Sequence, residues 1–425
     1  MKDLIENSFK KKNYIICTPR LISFGGSFVS LSDFLKIKNC FKFKIILCVP
    51  LLNLHKKHKK KKIFALEIIY MIFKQMKWDE KTLTIFFSIY LNLNLFLELL
   101  KIRTLLKKFF SINFINKYLP VSIGYDGSSN RNYLNWTSEN WKKILSQNVN
   151  FQDYAIKDNN FLKKEKCVTV VVKDNNYSQI SEISKDTISN IENYKESFNY
   201  LISNGFKIIR LGDNLSVNFQ FENNFYKDLT KSKNNSLINQ YSYYANSEFY
   251  FGSMNQSIIA TFFDKKKIIV NATSQYSNNT ISFSKSNFSI FKKIFSIKEK
   301  RILSIEEILN QENLFIDEIS LIRKSKDFIL IENSAQEILN TCKAFIEYNY
   351  HNIKEDETLL DQYLGCRYNV IENLYKKTSP LIKYPSVEKF RYSKVNIPHF
   401  FLKKYLFRTK EIDEESKIFS KDLNL

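Results

Sequence analysis

Two stretches decide the fold: Cys167-Val168-Thr169-Val170-Val171-Val172 and, further on, Gly205-Phe206-Lys207-Ile208-Ile209-Arg210-Leu211-Gly212-Asp213. The first is a β-branched run of the kind that fills a strand buried on both faces. The second is a strand closed by Gly-Asp. Between them, residues 190–203 place Ile191, Tyr194, Phe198, Leu201 and Ile202 on one helical face. Asn204-Gly205 ends that helix as a C-cap. The alternation continues with a helix at 236–246, a strand at Glu248–Phe251 broken by Gly252-Ser253, a helix at Met254–Phe263 and a strand at Lys267–Val270 ending on Asn271. Strands and helices alternating at this spacing predict an α/β fold with a parallel, doubly wound sheet, its strand C-terminal ends on one edge. Ligands of such sheets bind at that edge.

Working outward, Glu332-Asn333-Ser334-Ala335-Gln336-Glu337 joins a short strand to a helix through a capping-box pattern. The helix behind it carries Ile338, Leu339, Cys342, Phe345 and Ile346 on one face. Upstream, Tyr14–Cys17, the turn Gly25-Gly26-Ser27 and Lys42–Val49 suit the start of a second α/β domain. The 425 residues, 44% hydrophobic and 25% charged, are enough for two cores. The expected division is 1–150, an N-terminal acceptor-side domain; 165–376, a C-terminal nucleotide-binding domain; and 377–425, a tail that packs back on the first.

Composition narrows the function. The net charge of +22 draws the chain to anionic partners such as nucleotide diphosphates or a membrane face, although lysine is also this chain's default surface residue. The run His55–Lys62 reads either as a solvated loop or as a peripheral contact with an anionic inner membrane. Aromatics are not interleaved with it, so no nucleic-acid partner is expected. The six cysteines lack metal or redox spacing and read as reduced thiols of a cytoplasmic protein. No signal-peptide pattern opens the chain, and the longest apolar stretch, Leu83 to Leu100, is interrupted by Asn92, Asn94 and Glu98. The P-loop, G-x-G-x-x-G, G-x-S-x-G and Asp-x-Asp motifs are absent, and the four histidines are dispersed. No cofactor or metal is expected; Glu355-Asp356-Glu357 reads as a solvated face.

Candidate binding residues follow from the strand ends: Lys173 and Tyr177; Arg210, Gly212 and Asp213; Gly252, Ser253, Asn255, Gln256 and Ser257; and Asn271. A departing diphosphate needs positive charge and N–H donors. Lys173 and Arg210 could supply the charge and the Met254 helix N-terminus the donors. Each has a structural alternative. Ser253 to Gln256 is itself a capping box, Arg210 could pair with Asp213 or a surface carboxylate, Lys173 could be solvated, and Tyr177 could be a loop anchor. Gly25, Gly26 and Ser27 mark a second cleft loop.

Several blocks, in order, resemble a bacterial glycosyltransferase family linked to surface-carbohydrate biosynthesis: Ile191–Tyr194, Gly205–Asp213, Phe249–Ser253, Ile268–Asn271, Glu332–Leu339 and Ile397–Leu402. The resemblance spans about residues 165–405 and implies GT-B architecture, two Rossmann-like domains with parallel sheets facing a central cleft. It further implies metal-independent transfer of a sugar from a nucleotide-sugar donor, held by the C-terminal domain, to a surface-glycan or lipid-linked acceptor. The base would come from the N-terminal domain, where Asp33 and Asp126 qualify by position. Lys173 stands where the family has arginine, Thr187-Ile188 for Arg-Asn, Asn239 for Asp, and Asn255-Gln256 for Ser-Gly. These departures motivate the alternative of a non-catalytic glycan-binding or scaffold member of the same fold.

Overall fold

A computed structural model describes residues 14–17, 44–50, 83–88, 166–174, 188–212, 216–232, 237–253, 257, 260, 265–272, 286–310, 327–378 and 396–423. The chain divides into two compact units, Met1–Asn150 and Phe151–Leu425. In the first, β1 (Tyr14–Cys17), β2 (Lys44–Pro50) and β3 (Leu83–Ser88) form a parallel sheet in that order.

The second unit is built on six parallel strands: β4 (Lys166–Val171), β5 (Phe206–Leu211), β6 (Tyr226–Asp228), β7 (Phe249–Gly252), β8 (Lys266–Ala272) and β9 (Phe288–Phe291). Their spatial order is β6-β5-β4-β7-β8-β9. Counted from β4 this is 3-2-1-4-5-6, the order of doubly wound dinucleotide-binding sheets. Such a sheet is covered by helices on both faces, so its central strands must be apolar throughout. Cys167–Val171 is buried at every position, and Phe249–Gly252 likewise.

The expected helix at 190–203 begins as a 3-10 turn, Ile191–Tyr194, and continues as α1, Lys195–Ser203. Asn190 caps it, its Oδ1 accepting the Glu192 N–H. Ile191, Tyr194, Phe198 and Leu201 are buried and Ile202 only partly so. Tyr194 and Phe198 pack on Phe251 with ring centroids 5.2 and 6.2 Å apart. Gly205 follows with φ +81°, the left-handed C-cap the sequence predicts. Further on, α2 (Leu237–Asn246) lies against β4.

A bare Lys292 separates β9 from β10 (Lys293–Ser296), so one extended run serves two sheets. The second sheet is antiparallel, β11 (Arg301–Ile302) and β12 (Phe328–Ile331) flanking β10, with α3 (Ile305–Asn310) beside it. Its core is Ile294, Leu303 and Ile308, backed by Phe328 and Leu330. From β12 the chain enters α4 (Ala335–Tyr350) through the predicted capping box, with both reciprocal hydrogen bonds made. Ile338, Cys342, Phe345 and Ile346 are buried; Leu339 is partly exposed. Next comes α5 (Thr358–Thr378). Among the described residues no helix is long and apolar enough to cross a membrane.

Residues 396–423, set apart by sequence as part of a tail, are joined to the second unit. Asn396 pairs with Phe288 alongside β9. Beyond it, α6 (His399–Tyr405) and α7 (Lys410–Asp422) reach the small sheet, where the Ser416 hydroxyl accepts the Ile302 N–H at 2.9 Å. Lys293 of β10 bonds Glu415 at 2.7 Å and Glu337 at 3.1 Å, and the Tyr405 hydroxyl lies 2.6 Å from each of those carboxylates. Burial pushes the Glu415 carboxyl up, but Lys293 and Lys404 outweigh it and hold it down to about 2.

Candidate nucleotide-binding edge

The topological switch lies between β4 and β7, whose next neighbours run off in opposite directions. Their carboxyl ends are in register, Val171 beside Gly252. Here the backbones approach so closely that a Cβ on Gly252 would lie 2.0 Å from the Val171 carbonyl oxygen, and φ is +151°. Only glycine fits. The next residue continues the contact, Ser253 N donating to that same carbonyl at 3.0 Å. The Ser253 carbonyl takes the Tyr250 hydroxyl.

To one side stands the end of β5. Arg210, considered from sequence as a diphosphate ligand, is fully buried. Nη1 reaches Asp228 at 2.8 Å and Nη2 reaches Asp174 at 3.3 Å. Asp174 also accepts the Val217 N–H at 2.7 Å, and Asp228 accepts both the N–H and the hydroxyl of Thr230. The cation thus locks the ends of β4, β5 and β6 together, and two carboxylates face its charge. Gly212 sits beside Ser216, and its carbonyl accepts from Gln240 at 3.0 Å.

To the other side lies the end of β8. Asn271 adopts φ +54°, a left-handed conformation asparagine tolerates. It forms a reciprocal pair with Asn333: each side-chain Oδ1 accepts the other's backbone N–H, at 2.7 and 2.6 Å. The loop 188–190 closes this side. Ser189 N donates to the Lys173 carbonyl at 2.7 Å, the Lys292 ammonium to the Ile188 carbonyl at 2.6 Å, and Asn190 N to Glu332 at 2.8 Å. Beneath the loop, the buried Tyr194 phenol neighbours Ser189 and Asn271, and burial pushes its pKa up.

Lys173, Gly212, Gly252, Ser253 and Asn271 therefore stand at strand ends along one edge, with Ser257 buried nearby in the chain. Tyr177, Asp213, Asn255 and Gln256 lie outside the described residues, as do Gly25, Gly26, Ser27, Asp33, Asp126 and the run His55–Lys62. Sequence reasoning missed Asp228, Lys292 and the binding partners of Glu332. Asp228 sits on a three-residue strand in a polar stretch, and Lys292 looks like any surface lysine until β9 is known. Among the described residues no three His, Cys, Asp or Glu side chains are grouped to hold a metal ion. Glu355 instead accepts the His399 N–H, and Asp356 accepts from Thr358.

No protein-family model and no characterised relative matches the chain by sequence. Among solved structures it is similar to a glycosyl transferase family 9 protein from Veillonella parvula, at 8% identity and a TM-score of 0.38, over 80% of this chain and 98% of that one. It is also similar to the E. coli ADP-heptose LPS heptosyltransferase II, at 9% identity and a TM-score of 0.34, over 66% and 90% of the two chains. A third is the dodecameric iron-containing heptosyltransferase TibC of enterotoxigenic E. coli, at 10% identity and a TM-score of 0.34. That likeness covers 63% of this chain and 60% of TibC. Likenesses this slight assign the chain to none of these proteins.

Proposed function

We propose that this chain is a glycosyltransferase of GT-B type, moving a sugar from a nucleotide-sugar donor to a surface-glycan or lipid-linked acceptor without a metal ion. The observation that carries the reading is convergence. The sequence blocks that resemble glycosyltransferases are far apart in the chain, yet Gly212, Ser253 and Asn271 of three of them stand at one edge of a 3-2-1-4-5-6 sheet, and Asn333 of a fourth is bonded to Asn271 there. Gly252 lets β7 come close to β4 at the switch point, the crevice where ligands of such sheets bind. The first unit would supply the acceptor site and the base, and Asp33 and Asp126 are its candidates.

The test is a thermal-shift panel of UDP-, GDP-, ADP- and CMP-linked sugars on the full chain. A donor at about a hundred times its Kd should stabilise the fold by about 2.7 kcal/mol. Silence across the whole panel would sink the proposal. A second reading, a non-catalytic glycan-binding or scaffold protein, is favoured by one observation: both terminal nitrogens of Arg210 are taken by carboxylates. Binding of a donor without release of its nucleotide in the presence of acceptor would support that reading instead.

A further inference from the structure

The segment Glu332-Asn333-Ser334 cannot itself grip a ligand through Asn333. That side chain is fully buried, and every polar group it has is used inside the protein. Its N–H and Oδ1 serve Asn271, its Nδ2 donates to the Phe291 carbonyl at 2.8 Å, and its own carbonyl accepts from Asn193 Nδ2 at 3.4 Å. The neighbouring Glu332 is different. Its carboxylate is 30% exposed and reaches across to the Asn190 N–H on the loop 188–190, with Lys292 at 3.9 Å. Ser334 then caps α4, so the segment is anchored by a helix end on one side and by β8 and β9 on the other.

We infer that Glu332 and Asn333 are positioning residues for the edge: together they set the conformation of Asn271 and of the loop 188–190, which a bound nucleotide would contact. The inference rests on the nucleotide-binding reading above for its ligand, but the brace is measurable without one. Glu332 holds one exposed loop amide through a charged acceptor, and a charge-assisted hydrogen bond is worth enough to slow local opening by about tenfold. Because it is partly exposed and outside the core, removing it should leave the fold intact.

The experiment takes the full chain with Glu332→Ala, Glu332→Gln and Asn333→Ala, and reads hydrogen exchange over residues 188–194 without ligand. The affinity for UDP, GDP, ADP and CMP is read alongside. Glu332→Ala should speed exchange there by about tenfold. It should weaken nucleotide binding by a similar factor, with the melting temperature almost unchanged. Glu332→Gln keeps an acceptor for the Asn190 N–H without its charge and should restore about half of both effects on a logarithmic scale. Should Asn333→Ala fail to fold, the Glu332 pair decides the matter. Unchanged exchange in Glu332→Ala, or a Gln variant no better than Ala, would overturn the inference. If the native chain binds none of the four nucleotides, the nucleotide reading falls while the exchange measurement still judges the brace. If nucleotides bind and Glu332→Ala leaves their affinity alone, the positioning role falls by itself.

Discussion

Replacing Gly252 by alanine tests the switch point directly. The new Cβ would sit 2.0 Å from the Val171 carbonyl oxygen and 2.8 Å from its carbon, both backbone atoms of a central strand that cannot rotate away. To relieve the overlap, β7 must move off β4 where Ser253 N meets the same carbonyl. The backbone at φ +151° adds strain of about 1–3 kcal/mol for a side-chain-bearing residue. Loss of the terminal ladder bond adds roughly 1 kcal/mol, and the displaced packing of Phe251 against Tyr194 and Phe198 adds at least as much again. The total is about 4 kcal/mol, a large part of the 5–15 kcal/mol that holds a domain together. Two other glycines calibrate the result. Gly205 has φ +81° but open space around its Cβ position, so Gly205→Ala should cost only about 1–2 kcal/mol. Gly365 lies inside α5 with nothing within 4 Å, so Gly365→Ala should stabilise by up to about 1 kcal/mol. Urea unfolding of the three variants followed by circular dichroism gives the ranking. If Gly252→Ala unfolds at the same urea concentration as Gly205→Ala, the close approach of β4 and β7 is not real and the proposed site loses its geometry.

The Arg210 lock predicts that Arg210→Met, which leaves Asp174 and Asp228 together without their cation, destabilises by about 3–5 kcal/mol in the same assay. A variant of native stability that had lost nucleotide binding would show instead that the guanidinium faces the ligand. The Glu415 cluster predicts a pH dependence. Because the folded carboxyl titrates at about 2, below the ordinary 4.5, its contribution is present above pH 4.5 and is lost as pH falls toward 2. It amounts to at most about 3 kcal/mol. Acid titration followed by hydrogen exchange in α6 and α7 should show those helices loosening in that window. Glu415→Gln should flatten the acid step; a step of unchanged size in that variant would remove Glu415 from the explanation.

The parts of the fold that were legible in sequence are those where one physical demand dominates. The strands β4, β5, β7 and β8 are largely buried and each carries a short apolar stretch, Val170-Val171, Ile208-Ile209, Phe249–Phe251 and Ile268–Val270, bounded by turn signals or a helix that mark where it stops. The cap of α4 could be read because its two hydrogen bonds require particular residue types at a fixed spacing. β6 escaped notice because Tyr226-Lys227-Asp228 is short and half-buried at the sheet's edge, and lies in an asparagine-rich stretch. β9 and β10 escaped because Lys292 and Lys293 fall in the middle of their run and leave only three or four residues on each side, whereas the lysines of β8 stand at its start. Their burial depends on partners that sequence cannot pair with them: Glu415 lies 122 residues from Lys293, and Ile188 lies 104 from Lys292.

Those lysines also bear on what the edge can offer a nucleotide. The net charge of +22 suggests a site rich in available cations. The fold uses its cations differently. Arg210 is held by Asp174 and Asp228, Lys293 by Glu337 and Glu415, Lys292 by the Ile188 carbonyl near Glu332, and Lys173 is nearly buried and engaged in further interactions. Arg210, Lys292 and Lys293 are buried charges held within the protein, as the cost of desolvating an unpaired one requires. The backbone N–H groups at the described part of the edge are engaged in the same way: Ser253 donates to the Val171 carbonyl, Ser189 to the Lys173 carbonyl and Asn190 to Glu332. The described edge is thus a closed framework that fixes where its strand ends and the loop 188–190 stand, and the Glu332-Asn333 brace is the part of it that ties that loop and Asn271 together.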